Sequence, residues 1–183
     1  MGAPDLFVGI DPGQKGALFS LTSERQFHSA IPNLTPHSLI EWIEMYCPPP
    51  SAPSKQKKGR EIVFILEKAQ PMPKQGVCSM FTYGEGYGEL IGILKAFKQK
   101  YELVTPQAWT KVMLQGCPKS IEGKKRNAYI AKALFPDFNL IASSRATMPH
   151  EGLVDALLIA EYSRKLLKAE AFLKDDGFLT ENI

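Results

Sequence analysis

Four carboxylates stand out by where they fall in the chain. Asp11 closes the apolar run Leu6-Phe-Val-Gly-Ile10 and is followed by Pro-Gly. Glu67 closes a second run, Ile62-Val-Phe-Ile-Leu66. Glu151 and Asp155 sit four apart at the head of a long apolar helical pattern, so they share one helix face. Singly, each has an ordinary explanation: Asp11 caps a turn, Glu67 ends a strand in solvent, and the last pair complements a helix N-terminus. Together they form a hard, all-oxygen set suited to Mg²⁺ or Mn²⁺ rather than zinc. Two such ions about 3.5–4 Å apart activate a water and stabilise a leaving oxygen in phosphodiester cleavage. Asp11, on the most central strand, is the natural bridging ligand.

The elements that must position these groups follow in chain order. The stretch from Phe7 to Phe19 reads as a β-hairpin with Asp11 at the end of its first strand. Leu6, Phe7, Val8 and Ile10 are too apolar for an edge, which predicts a central strand covered on both faces. Strands at about 6–10, 16–21 and 26–31 make an antiparallel meander. Thr35-Pro36 starts a helix carrying Leu39, Ile40, Ile43 and Tyr46. Residues 48–60, rich in Pro and Ser and then basic, read as a mobile surface loop. The run from Ile62 follows a helix, so it is expected to lie parallel to the first strand through a crossover.

A loop over 68–79 leads to a helix expected from about Met80 to Lys98. On it Gly84, Gly88 and Gly92 form one stripe. Glycine inside a helix costs about 1 kcal/mol against alanine, so the stripe implies close approach of another backbone. A short strand over 101–104 precedes a Thr105-Pro106 start and a short helix with Trp109, Val112 and Met113. A further helix ends at Phe135, and the last long one starts near Pro149 and runs into Arg164. Residues 174–183 read as a frayed tail. The order predicts one α/β domain over residues 1–183, its core spanning about 6–166, with a mixed sheet flanked by helices.

Composition narrows the function classes. A chain of 183 residues is long enough for a proper core. Its net charge of +3 is only mildly basic, so any nucleic-acid footprint must come from clustering. Lys111, Lys119, Lys124, Lys125 and Arg126 are candidates for phosphate contacts, the alternative for each being a solvated surface charge. Cys47, Cys78 and Cys117 are odd in number and far apart, which gives neither a disulfide framework nor a zinc pattern and points to a reducing compartment. No apolar run is long enough to span a membrane, and no signal-peptide pattern is present. The expectation is an intracellular protein.

The motifs Val8-Gly-Ile-Asp11-Pro-Gly, Ile65-Leu-Glu67, Val104-Thr-Pro-Gln-Ala-Trp-Thr-Lys111 and His150-Glu-Gly-Leu-Val-Asp155-Ala-Leu-Leu-Ile-Ala160 together resemble the RuvC-type Holliday junction resolvases of the RNase H-like superfamily. The resemblance covers roughly residues 6–166. It implies a five-stranded mixed sheet, a homodimer, and divalent-metal-dependent nicking of four-way DNA junctions in the cytoplasm or nucleoid. Asp11, Glu67 and Asp155 match the family's catalytic positions. Bacterial members carry the fourth acid three residues before the last Asp, where this chain has Gly152. Glu151, one residue earlier, resembles the arrangement in phage- and organelle-type members, which leaves an organelle or viral origin open. His150 is either a proton-transfer aid or a residue of the helix start.

The resemblance also suggests DNA-facing residues: Gln70, Met72, Lys74 and Gln75 in the loop after Glu67, and Met80, Phe81 and Tyr83 at the head of the next helix. Aromatic residues there would stack on unpaired bases or pack in the core or dimer. The glycine stripe, with Phe81, Leu90, Ile91 and Leu94 for apolar area, is the expected dimer surface; the alternative is packing on the chain's own sheet. Competing functions are an RNase H-like nuclease on another branched or hybrid nucleic acid, and a catalytically silent DNA-binding module. An actin-like ATPase shares the Asp-x-Gly hairpin but needs a second nucleotide-binding half, for which this chain is too short.

Overall fold

A computed structural model describes residues 4–47, 61–70 and 76–175, with side chains to residue 169. Five strands form one mixed sheet: β1 (Leu6–Asp11), β2 (Ala17–Thr22), β3 (Phe27–Pro32), β4 (Ile62–Glu67) and β5 (Tyr101–Val104), in the order β3-β2-β1-β4-β5. β1, β2 and β3 are the expected antiparallel meander, and β4 runs parallel to both β1 and β5. β1 is therefore the central strand, with its first five residues buried, as its unbroken apolar run requires. Ile10 pairs with Leu66, so the residues that end β1 and β4, Asp11 and Glu67, emerge side by side at the C-terminal ends of these two interior strands.

Helices cover both faces. On one face lie α1 (Pro36–Tyr46) and α2 (Val77–Ala96), packed over Val8, Ile10, Phe64 and Leu66. Thr35 caps α1 in a reciprocal box with Ser38, with proline in the first turn. On the other face lie α3 (Pro106–Met113), α4 (Lys125–Leu134) and α5 (Glu151–Asp175). Thr105 caps α3 through the Ala108 amide. α5 crosses β1 closely: a Cβ on Gly9 would collide with the Ala156 carbonyl, so only glycine admits this approach.

Several expectations are corrected here. α2 starts at Val77, three residues before the expected Met80, and α5 runs to Asp175, taking in the first two residues of the expected tail. Leu90 and Leu94, expected at a dimer surface, are 4% and 0% exposed within this chain's own core, and Ile91 packs against the same cluster. The glycine stripe does not pack on the chain's own sheet. Gly84, Gly88 and Gly92 are exposed, and a Cβ on any of them meets nothing within 4 Å. Apolar α5 also carries a buried charge: Glu161 accepts from Arg164 at 2.7 and 2.9 Å and lies 3.4 Å from Arg25 of the β2–β3 turn. The expected loop over 48–60, and all but the first two residues of the expected tail, lie outside the described residues. Among the described residues, no helix is long and apolar enough to cross a membrane.

Candidate active site

Asp11, Glu67, Glu151 and Asp155 line one open pocket of about 610 Å³. Three structural features bring them together: the parallel register of β1 and β4, the crossing of α5 over β1, and the seat of the first α5 turn on the β1–β2 turn. That seat depends on Gly152, whose missing side chain leaves room for the Lys15 carbonyl; a Cβ there would collide with it. Position 152 thus carries backbone contact, and Glu151 beside it stands exposed at the pocket rim.

Each carboxylate is held by a donor of this chain. The Gly13 amide donates to Asp11 Oδ1 at 3.1 Å. Trp109 Nε1, in a side chain only 2% exposed, donates to Glu67 Oε2 at 2.6 Å. Asn127 Nδ2 donates to Asp155 Oδ1 at 2.7 Å. Lys124 Nζ forms an ion pair with Glu151 Oε2.

The electrostatics separate the deep acids from the rim acid. Burial pushes Asp11 up to about 6, opposed by the Gly13 amide and assisted by the charge of Glu67. Burial also pushes Asp155 up to about 6, with Asn127 opposing. Glu67 is raised by burial, against the Trp109 hydrogen bond. Glu151 is lowered by its hydrogen bond from Lys124. The Tyr83 hydroxyl, which lines the same pocket, is pushed up to about 12 by burial and by the charges of Glu67 and Asp11, so it stays a neutral donor. The pocket therefore concentrates more negative charge than its own donors neutralise.

Hard oxygen donors with neither thiol nor imidazole among the lining residues fit Mg²⁺ or Mn²⁺ by chemistry. Among the described residues, no three acidic, His or Cys side chains stand close enough to form a finished ligand cluster. His150 does not line the pocket. Its Nδ1 accepts from the Leu153 amide at 3.2 Å and its Nε2 meets Asn33 Oδ1 at 3.2 Å, which makes it a helix-start residue.

The expected DNA-facing residues divide. Gln70 lines the carboxylate pocket and accepts from Gln107 at 3.3 Å. Phe81 is 66% exposed on α2, while Met80 beside it is partly buried. Lys111 and Arg126 share a second pocket, and Lys124 belongs to the first. Lys119 and Lys125 are exposed and line neither. Met72, Lys74 and Gln75 lie outside the described residues. Sequence reasoning missed Asn127 and the role of Trp109, because each meets its carboxylate across a long chain separation. The only sequence signal was the Thr-Pro cap that fixes where α3, and so Trp109, begins.

No protein-family model matches the chain, and no curated protein matches it in sequence. Solved structures that share its fold include two of RuvC. One is described as T. thermophilus RuvC in complex with Holliday junction substrate, with 13% identity, a TM-score of 0.57, and coverage of 91% of this chain and 95% of that one. The other is Thermus thermophilus RuvC, with 14% identity, a TM-score of 0.55, and coverage of 91% and 96%. The chain thus has the RuvC variant of the RNase H-like fold, with its five-stranded mixed sheet.

Proposed function

We propose that this chain is a metal-dependent endonuclease of one domain, which resolves four-way DNA junctions as a homodimer. The observation that carries the reading is the convergence of Asp11, Glu67, Glu151 and Asp155 on one open pocket at the ends of two parallel core strands and the head of α5. The shared fold with a RuvC seen on a Holliday junction supports the choice of substrate. Glu151 beside Gly152 supports the phage- and organelle-type arrangement within that group. Free Cys47, Cys78 and Cys117 agree with an intracellular, reducing setting.

Two divalent ions, Mg²⁺ or Mn²⁺, would be held by the four acids and would supply an activated water and charge stabilisation for the leaving oxygen. The rest falls to the chain's own residues. Asp11, at the end of the central buried strand, would fix the centre of the site. Trp109 and Asn127 orient Glu67 and Asp155 from behind. Lys124 neutralises Glu151 in the resting protein and supplies a positive group at the rim for an incoming phosphate. The Tyr83 hydroxyl presents a donor to the same space.

The test is cleavage of a synthetic four-way junction beside linear duplex and an RNA–DNA hybrid, with and without divalent ion. The expected result is paired, metal-dependent nicks in the junction alone. Preferential cutting of the hybrid would move the activity to another RNase H-like nuclease. Junction binding without cleavage under any divalent ion would make the chain a DNA-binding module.

A further inference from the structure

We propose that the second pocket, between α3 and α4, is a subsite for one backbone phosphate adjoining the phosphate at the carboxylates. The inference rests on the nucleic-acid reading above. The pocket measures about 380 Å³ and is lined by Gln107, Thr110, Lys111, Leu114, Gln115 and Arg126, two cations and no carboxylate. Several cations elsewhere on the molecule are engaged. Lys124 pairs with Glu151, Lys100 with Glu61, Arg25 and Arg164 with Glu161, and Lys132 donates to the Pro136 carbonyl. Among the described residues, neither Lys111 nor Arg126 has an acidic partner.

Arg126 goes further: its Nε is buried and has no hydrogen-bond acceptor among the described residues. A buried donor on a charged group is costly to leave unmade. An oxyanion entering the pocket would satisfy it. The guanidinium fork, the Lys111 ammonium and a side-chain amide are the donors that recognise a tetrahedral oxyanion. The Thr110 hydroxyl is already spent on the Pro106 carbonyl at 2.6 Å, and Leu114 offers an apolar wall against which a sugar would pack.

Position selects nucleic acid over an acidic peptide. Pro106 and Lys124 line the carboxylate pocket, while Gln107 and Arg126, one and two residues on, line this one. Gln107 also bridges the two by its bond to Gln70. A strand whose scissile phosphate lies at the acids carries further phosphates past its edge, and this pocket stands there with unpaired positive charge.

The test is a charge-neutral scan of the DNA. The full chain, without divalent ions, is titrated with four-way junctions carrying single methylphosphonate linkages at successive positions around the exchange point. One position beside the scissile linkage is expected to weaken wild-type binding several-fold and to leave the Lys111→Gln, Arg126→Gln double variant unaffected. That variant's salt-dependence slope should fall by about one unit per lost phosphate contact. A second measurement needs no variant: the Arg126 side-chain Nε–H resonance should shift with the unmodified junction and stay in place with the methylphosphonate at that position. Additive losses at every position, an Arg126 resonance indifferent to DNA, or one that moves with polyglutamate instead, would overturn the proposal. Failure of the activity reading looks different: the phosphate signature would persist on DNA that the chain never cuts.

Discussion

Trp109 and Glu67 are joined by a 2.6 Å hydrogen bond across 42 residues of chain, from a buried indole N–H to a carboxylate at the end of β4. The bond opposes the burial that raises Glu67. It therefore aims the carboxylate and favours its ionised form against that burial. Trp109→Phe retains most of the packing and deletes the donor. Cleavage at limiting Mg²⁺ should fall about 10–100-fold and recover in part at higher Mg²⁺ or higher pH. A variant with an unchanged Mg²⁺ dependence would show that the indole merely fills space.

Asp11→Asn should abolish cleavage while leaving junction binding intact, since Asn keeps an oxygen for the Gly13 amide. It also isolates a pH effect. The Asp11 carboxyl titrates at about 6 in the folded chain against an ordinary 3.8, so between those values the folded state holds more protons than the unfolded one. Wild-type stability should therefore drop as pH rises through that window, whereas Asp11→Asn lacks this component. At pH 7.5, without divalent ions, the variant should be more stable than wild type by about 1–2 kcal/mol, and the gap should close near pH 4. Urea melts at the two pH values measure it; a gap of opposite sign would contradict the assignment of Asp11 as a buried, uncompensated acid.

Glu151→Gln tests the fourth acid. As a ligand, its loss should cost cleavage on the scale of Asp155→Asn. Its effect on stability should stay below about 1 kcal/mol, because the pair with Lys124 is largely exposed. Near-normal cleavage by Glu151→Gln beside an inactive Asp155→Asn would remove Glu151 from the ligand set.

Gly152→Ala adds a single methyl where the Lys15 carbonyl already sits. It should destabilise the fold by about 1–3 kcal/mol and impair cleavage by lifting Glu151 and Asp155 off the pocket. Unaltered denaturant midpoint and activity would mean that the first turn of α5 is free to shift.

The dimer is testable at Gly88. Two nicks of like polarity require two sites related by a two-fold axis, and the exposed glycine stripe with Val77 and Phe81 is the α2 face left open by the fold. Gly88→Leu should stay folded by circular dichroism, run as a monomer in light scattering, and nick junctions singly. A wild-type chain that stays monomeric at assay concentration, with or without junction DNA, would refute the symmetric arrangement.

The sequence by itself determined a great deal here. Two unbroken apolar runs, each ending in an acid, were enough to place β1 and β4 as buried strands with Asp11 and Glu67 at their ends, because only a doubly covered strand tolerates such a run. Thr35-Pro36 and Thr105-Pro106 fixed two helix starts through local capping, and the spacing of Glu151 and Asp155 put both on one face. Periodicity reports that a residue is buried, however, and not what it is buried against. Leu90 and Leu94 thus fit a dimer surface as well as a core until the docking of α2 assigned them to the core. For the same reason the donors to the acids were illegible: Trp109, Asn127 and Lys124 lie 42, 28 and 27 residues from their partners. The pairing of β4 with β5, which sets α3 beside Glu67, and the crossing of α5 over β1 at Gly9 with its seat at Gly152 bring those distant residues within hydrogen-bond reach, since such bonds form over a few ångströms in space whatever the separation along the chain.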